Sequence, residues 1–415
     1  MTARFPPARG QPVSAEIETT VSGRGAAGRI VLALAVAAPA VIVRLAGVEL
    51  APVAAMVVFG AAVLASVALL MWASEAARVD ISGSLALAIL ALVAILPEYA
   101  VDIFFAYTAG HDPAYAAYAT ANMTGANRLL IGVAWPLLVA FAIFAVRRRR
   151  VRGERDRVTL APHRRTEIVF LAAATVYALV IPLTGRLAWY DTLVLGGLFA
   201  AYLWRIRGNE EGVEELAGVA ATVAAQPAAR RRGLVAALFV AAGAIILAAA
   251  EPFGDSLVAA GADLGIDEFL LVQWLAPIAS EAPEVIVAIT FALRGRADDG
   301  MGALLAAKLN QWTLLIACLP IAYYLGGGEF AGLPLDARQT EELVLTTAQT
   351  LLGVAVLADL RLTRGEALLL FGLFAVQFVL PAPNIRYVIA AVYTVLAVAL
   401  LIRQRRHVPA LIKSL

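Results

Sequence analysis

Twelve apolar runs, each long enough to cross a hydrocarbon layer as a helix of about 20 residues, follow one another along this chain of 415 residues. They cover 29–47, 51–73, 83–109, 114–146, 166–184, 189–206, 234–253, 266–293, 301–325, 341–358, 365–381 and 385–402. Lipid offers no partner to a backbone N–H or C=O, so helix is the form such runs take. Apolar residues make up 61% of the chain and charged residues 15%, against roughly 25% charged in a soluble domain. That composition excludes an ordinary water-soluble enzyme and a disordered chain. The expected fold is all-α: a polytopic membrane protein with about twelve transmembrane helices. Pro and Gly fall mostly at the breaks, at Pro113, Pro162, Gly208, Gly233, Gly326 to Gly328 and Pro383, where they punctuate helices.

Residues 1–28 are rich in Arg, Pro, Gly and Thr and lack the short apolar core and cleavage site of a signal peptide. They are read as a flexible cytoplasmic tail, followed by an extra N-terminal helix over 29–50. With the N-terminus in the cytoplasm, the spans alternating and residues within two of a span end counted with the adjoining connection, 27 of the 33 Lys and Arg fall on the inner side, three outside (Arg186, Arg338, Arg386) and three within spans (Arg44, Arg128, Lys308). This is the positive-inside asymmetry. It places both termini in the cytoplasm of a multi-pass plasma-membrane protein. Of the 31 acids, 15 fall inside, 12 outside and four within spans. An acidic outer face concentrates cations near an entrance, or it reflects simple tolerance of acids there. Residues 208–233 form a cytoplasmic linker, too short for a large soluble domain, and 404–415 a second tail. Arg44 is expected to snorkel to the headgroups, and Glu251 with Asp255 to lie in a solvated turn.

The four acids within spans are Glu98, Asp102, Glu281 and Glu284. A carboxylate at the centre of a membrane helix costs roughly 2.5–3.5 kcal/mol on insertion scales, so each needs an ion path, a proton relay or a cationic partner. They lie in 92-LVAILPEYAVD-102 and 278-IASEAPEVIVA-288. Each segment sets a proline directly before a glutamate. Proline removes a backbone donor and clashes with the preceding turn, so both helices are expected to bend or break there. The carbonyls so freed, beside a carboxylate, suit a hard cation that takes oxygen ligands. Asparagines follow on the next helix in each case, in 120-TANMTGANRLL-130 and 305-LAAKLNQWTLL-315, after similar lead-ins, 78-RVDISGSLAL-87 and 263-DLGIDEFLLV-272. The chain therefore repeats itself, over 51–207 and 234–403. The repeats start five spans apart, an odd offset that makes them run oppositely through the membrane. Inverted repeats whose broken helices meet at the midplane are a transporter architecture.

With these residues the chain resembles the calcium/cation antiporter superfamily, the membrane region of sodium/calcium exchangers. The resemblance rests on 93-VAILPE-98 with 121-ANMTGAN-127, and on 279-ASEAPE-284 with 304-LLAAKLN-310. It implies that Glu98 and Glu284 bind the transported metal ion. It implies that Asn122, Asn127 and Asn310 stand at the motif asparagines, and that sodium or protons drive transport by alternating access. Asp102, Glu281 and Ser280 join them as candidate cation ligands. The departures from the family pattern are specific. Ala94 and Ile95 replace small hydroxyl residues, Glu281 replaces a serine, Leu305 an asparagine and Lys308 a glycine, and the first repeat has one helix fewer than the second. Sodium sites built from hydroxyl and amide oxygens are thereby depleted, and charge takes their place. Lys308 and Arg128, expected near the four acids, are the proton-coupling or charge-compensating candidates, with Lys308 or a carboxylate paired to it exchanging protons as the cation binds.

The function expected is a secondary cation antiporter moving Ca2+ or Na+ against H+ or Na+, with no cofactor beyond the transported ions. Its partners are inorganic cations and the lipid bilayer, not nucleic acid. The alternative is a non-transporting or regulatory scaffold in which Glu98 and Glu284 pair with Lys308 and Arg128 to hold helices together. The asparagines fit either reading, since interhelical amide bonds also serve packing. An intramembrane enzyme is disfavoured: the spans hold no H-E-x-x-H, no Ser–His pairing and no hydrolase-like Asp pair. A twelve-span sugar or drug carrier would leave the paired Pro-Glu sites unexplained.

Overall fold

The computed structural model describes residues 23–80, 96–148, 153–206 and 218–413, with Val151 and Leu216 between them. In chain order its elements begin with α1 (Gly23–Ala46), α2 (Pro52–Ala77), α3 (Leu96–Ala109), α4 (Tyr115–Arg147), β1 (Arg157–Thr159), α5 (Arg165–Ala178) and β2 (Arg186–Leu187). They continue with α6 (Trp189–Ile206), α7 (Gly218–Ala224), α8 (Ala228–Leu264), α9 (Glu268–Leu293), α10 (Ala297–Leu325) and β3 (Leu333–Pro334). The chain ends with α11 (Ala337–Leu357), β4 (Arg361–Thr363), α12 (Arg364–Val379), α13 (Pro383–Arg403) and α14 (Val408–Ile412).

Among the described residues seven stretches are long and apolar enough to cross a membrane: α1, α2, α4, Pro162–Thr184 around α5, α8, α10 and α13; α9, bent, makes an eighth. The span expected over 83–109 is described from Leu96 on, as α3. The spans expected over 189–206, 341–358 and 365–381 also lie over helices, α6, α11 and α12, but these are shorter or more polar. Inside a bundle that is tolerable, because neighbouring helices rather than lipid receive the polar groups. Thus α11 buries Glu342, Thr346, Thr347, Gln349 and Thr350.

Local signals set the helix ends. Asp336 caps α11 and Thr363 caps α12 in reciprocal boxes with Gln339 and Glu366, each satisfying orphan N–H groups of the first turn. Gly265, at φ +65°, closes α8 in the left-handed region, where glycine carries no Cβ penalty. Several boundaries differ from expectation. α1 begins at Gly23, inside the expected tail, because Ala26 packs with Ala76, Val219 and Val223. The linker holds α7 and the start of α8, so Gly233 lies within a helix and not at a break. α8 also runs through Pro252 to Leu264, so Glu251 and Asp255 sit on a helix rather than in a turn. Burial of Phe253, Leu257 and Ala260 continues its apolar face past the proline. Arg44 pairs with Glu251 at 2.6 Å instead of standing alone at the headgroups.

The contacts between connections sort into two faces. On the basic face β1 pairs antiparallel with β4, Asp80 accepts from Arg231 at 2.7 Å and Arg232 at 3.0 Å, and Arg164 lies 3.7 Å from Asp298. On the acidic face β2 pairs antiparallel with β3, Arg338 meets Asp267 at 2.8 Å and Tyr115 donates to Asp255 at 2.8 Å. Among the described residues no strand pair or ion pair joins a connection expected inside to one expected outside. The alternation read from the charges is therefore compatible with every such tie. Between the faces lies one large apolar core, with Phe105, Trp135 and Trp312 fully buried.

Candidate cation site

α9 bends by 50° at Pro283, between Glu268–Ala282 and Glu284–Leu293. A proline inside a helix has no N–H to donate and crowds the carbonyl of the preceding turn. The matching bend expected at Pro97 falls on residues 81–95 and on the side chains of Leu96, Pro97 and Glu98, which lie outside the described residues. Glu98 as a metal ligand lies outside them as well.

Polar side chains on α3, α4, α9 and α10 pair with one another inside an apolar protein. Glu281, one turn before Glu284, is buried and accepts a hydrogen bond from Gln311 Nε2 on α10. Ser280 is buried too and turns its hydroxyl back onto the carbonyls of Ala276 and Pro277, both at 3.3 Å. On α4, Asn122 Nδ2 donates to Asp102 Oδ1 of α3 at 2.9 Å, with Asp102 wholly buried. Tyr99, beside Glu98 in sequence, donates its hydroxyl to Asn310 Oδ1 on α10 at 2.8 Å. The start of α3 is thereby set against the motif asparagine of the other repeat.

Several buried atoms here have no hydrogen-bond partner among the described residues: Asp102 Oδ2, Asn122 Oδ1, Gln273 Oε1, Glu284 Oε2 and Asn310 Nδ2. Four of these five are oxygens. An unsatisfied buried polar group costs about 1–3 kcal/mol, more if charged, unless something electropositive meets it. Among the described residues no three His, Cys, Asp or Glu converge on one point. A metal ion here would rely on amide and main-chain oxygens beside carboxylates.

α4 and α10 share an uncommon feature. Each contains a π-helical turn just after its motif asparagine, Leu130–Ala134 following Asn127 and Gln311–Leu315 following Asn310. Such bulges are rare, and they are frequent at functional sites. α4 also lies unusually close to α9: a Cβ on Gly125 would stand 1.8 Å from the main-chain oxygen of Gln273. Only glycine permits that approach, which brings Asn122 and Asn127 to the bent helix.

The two buried cations part company. Lys308 Nζ donates to Asn127 Oδ1 at 2.6 Å and to the Asn127 carbonyl at 3.3 Å, and lies 4.5 Å from the centre of the Trp312 ring. Arg128, expected beside the four acids, instead pairs with Glu342 of α11 at 2.6 Å. It also donates to Gln377 at 3.4 Å and lies over Trp274 at 4.9 Å. The reason is phase: Arg128 follows Asn127 directly, so it leaves the helix about 100° away and points at a different neighbour. Arg386 of α13 completes this second cluster, bonded to Glu342 and 3.6 Å from Glu341. Glu341, Glu342 and Arg386 are buried, although the charge division counts them with the outer connections. Among the described residues no ion pair links Glu284 to Lys308 or Arg128, as the scaffold alternative requires.

Sequence reasoning also passes over Tyr99, Gln273 and Gln311. Reading only charges and asparagines within spans, it has no reason to weigh a glutamine in an apolar run. Gln311, adjacent to Asn310 in sequence, is the one with a visible signal.

Comparison with known proteins gives this arrangement its context. The sequence matches the family described as sodium/calcium exchanger protein over residues 51–207 and 234–381. The structure is similar to the crystal structure of the H+/Ca2+ exchanger CAX, with 38% sequence identity, a TM-score of 0.89 and coverage of 95% of this chain and 98% of that one. CaxA of Alkalimonas amylolytica, described as a putative antiporter, is 32% identical over 152 residues, which are 35% of this chain and 44% of CaxA. This chain thus matches less than half the length of that relative. YfkE shares the fold at a TM-score of 0.61 and 16% identity, over 88% of this chain. The chain belongs to the sodium/calcium exchanger protein family.

Proposed function

We propose that the protein is a secondary active antiporter that moves Ca2+ across the plasma membrane in exchange for H+ by alternating access. The observation that carries this reading is the set of buried oxygens that have no donor among the described residues, Asp102 Oδ2, Asn122 Oδ1 and Glu284 Oε2, on α3, α4 and the proline-bent α9 of a membrane-type chain. Oxygen ligands of mixed charge suit Ca2+, and the same carboxylates accept protons when the metal leaves. Protonation and metal binding at shared oxygens exclude one another, which is the requirement for coupled exchange. The likeness to CAX, whose description names H+ and Ca2+, supports the choice of ions. The roles follow: Glu284 and Glu98 bind the metal; Asp102, Glu281, Ser280, Asn122, Asn127 and Asn310 line its path. The paired π turns and Pro-Glu segments support two oppositely oriented repeats, and the basic connections support cytoplasmic termini.

The test is uptake of calcium-45 into inverted vesicles under an imposed proton gradient, comparing wild type with Glu98→Gln and Glu284→Gln. Uptake that collapses with the gradient and in both variants is expected. Uptake untouched by both substitutions would refute the site, and no uptake by well-folded wild type under any gradient would favour the scaffold.

A further inference from the structure

The ammonium of Lys308 occupies a place built like a cation subsite. Its lining is two oxygens of one residue, Asn127 Oδ1 at 2.6 Å and the Asn127 carbonyl at 3.3 Å, with the face of Trp312 centred 4.5 Å away. The Asn127 amide is fixed in orientation, because its Nδ2 donates to the Met123 carbonyl at 2.8 Å and so turns Oδ1 toward Lys308. All three side chains are buried. Two acceptors and one π face match the three N–H bonds of an ammonium. A neutral amine would direct its lone pair at one of these electron-rich groups. The geometry therefore suits an ammonium group at this place.

We infer that Lys308 is a tethered cation, which fills an oxygen-lined pocket in the transport path and excludes a free monovalent metal ion, sodium above all, from it. This rests on the antiporter reading and deepens it, by naming the residue that sets the choice of exchange ion. Sodium seeks the oxygens that Lys308 already engages. The tether comes from one repeat only. Two residues before Asn127 in α4 stands Gly125, where a Cβ would strike the main chain of Gln273; two residues before Asn310 in α10 stands Lys308. It crosses between repeats, from α10 to α4, and so sits where both motif helices meet.

The test uses the purified full-length protein, with Lys308→Gly, Lys308→Gln and Lys308→Arg, in two measurements. The first is thermal unfolding in NaCl against choline chloride at equal ionic strength, with Ca2+ stabilisation as a check of folding. The second is calcium-45 uptake into proteoliposomes, under a proton gradient in sodium or choline medium and at clamped pH with an outward sodium or choline gradient. Wild type and Lys308→Arg are expected to show no sodium-specific shift and no sodium-driven uptake. Lys308→Gly and Lys308→Gln should gain a sodium-specific shift of several degrees. In them sodium at about ten times its dissociation constant should suppress proton-driven calcium uptake about tenfold. Wild type that is stabilised or driven by sodium overturns the inference whatever the variants do. So does a Lys308→Gly or Lys308→Gln protein that keeps its Ca2+ response but acquires none to sodium. Absence of calcium uptake and of Ca2+ stabilisation in wild type would instead remove the antiporter reading. The tether would then be judged by the sodium shift of the variants alone.

Discussion

Arg128 and Glu342 form an ion pair with no exposed side-chain surface, 2.6 Å apart. At an effective dielectric constant of about 20 their attraction is about 6 kcal/mol, most of it offset by the desolvation of the two ions. Breaking the pair from one side is a different matter, because the survivor keeps its desolvation cost and loses its partner. Arg128→Met leaves Glu342 and Glu341 against Arg386 alone, and is expected to lower stability by about 3–5 kcal/mol. Arg128→Met with Glu342→Met removes both ions and leaves Arg386 beside Glu341 at 3.6 Å, so the double variant should lose only about 1 kcal/mol relative to wild type. With Glu342→Met alone expected to cost a similar amount, the two sites are strongly non-additive, by about 5–9 kcal/mol. Titration of the protein from mild detergent into SDS, followed by tryptophan fluorescence, gives the unfolding free energies, and a common slope confirms that one transition is being compared. Arg128→Met within about 1 kcal/mol of wild type would refute the argument. So would additivity of the two single substitutions in the double.

Other outcomes follow from the same geometry. Gly125→Ala puts a methyl group 1.8 Å from a main-chain oxygen, and should cost about 1–3 kcal/mol and most calcium uptake, whereas Gly197→Ala, with nothing within 4 Å of its Cβ, should change neither. Asp102→Asn can still accept from Asn122 but cannot carry a charge or a proton, so vesicle flux should fall at least about tenfold while Ca2+-free unfolding moves by less than about 1 kcal/mol. The hydrogen bond from Arg231 holds the Asp80 carboxyl well below the usual carboxylate range. A depressed folded-state pKa stabilises the protein above the unfolded-state value near pH 4 and loses that effect as pH falls toward the folded value. Below pH 4 the melting temperature of wild type should therefore fall more steeply than that of Asp80→Asn, which lacks the tie at every pH.

Much of this could be read from the residues because membrane insertion writes its rules locally. The apolar runs predict where helices lie, and the basic connections predict which loops share a face, with which the β1–β4 and Asp80–Arg231 ties agree. Pro283 predicts the bend in α9. What the residues hid was depth and azimuth. Glu341 and Glu342 stand at the mouth of a span, and only the packing of α11 against α13 buries them. Arg128 and Lys308 are both single cations amid apolar neighbours, alike in composition. The azimuth of each on its own helix sends one to Glu342 and the other to Asn127. The length of α8 was concealed by a proline that ordinarily ends a helix but is here overridden by packing.

The π turn in α4 has a geometric result beyond the carbonyl next to it, the Arg128 oxygen that accepts from Gln349 Nε2 at 3.2 Å. One surplus residue in a helix advances everything beyond it by about 100°. The stretch before the turn aims Asn122 and Asn127 at the polar axis, while the stretch after it aims Trp135 and Leu138 into hydrocarbon-like packing. Removing a single residue between 130 and 134 would restore a regular screw and swing those large side chains out of register. The widened turn is a phase corrector, letting one uninterrupted rod serve water-loving chemistry at one end and oil-like cohesion at the other.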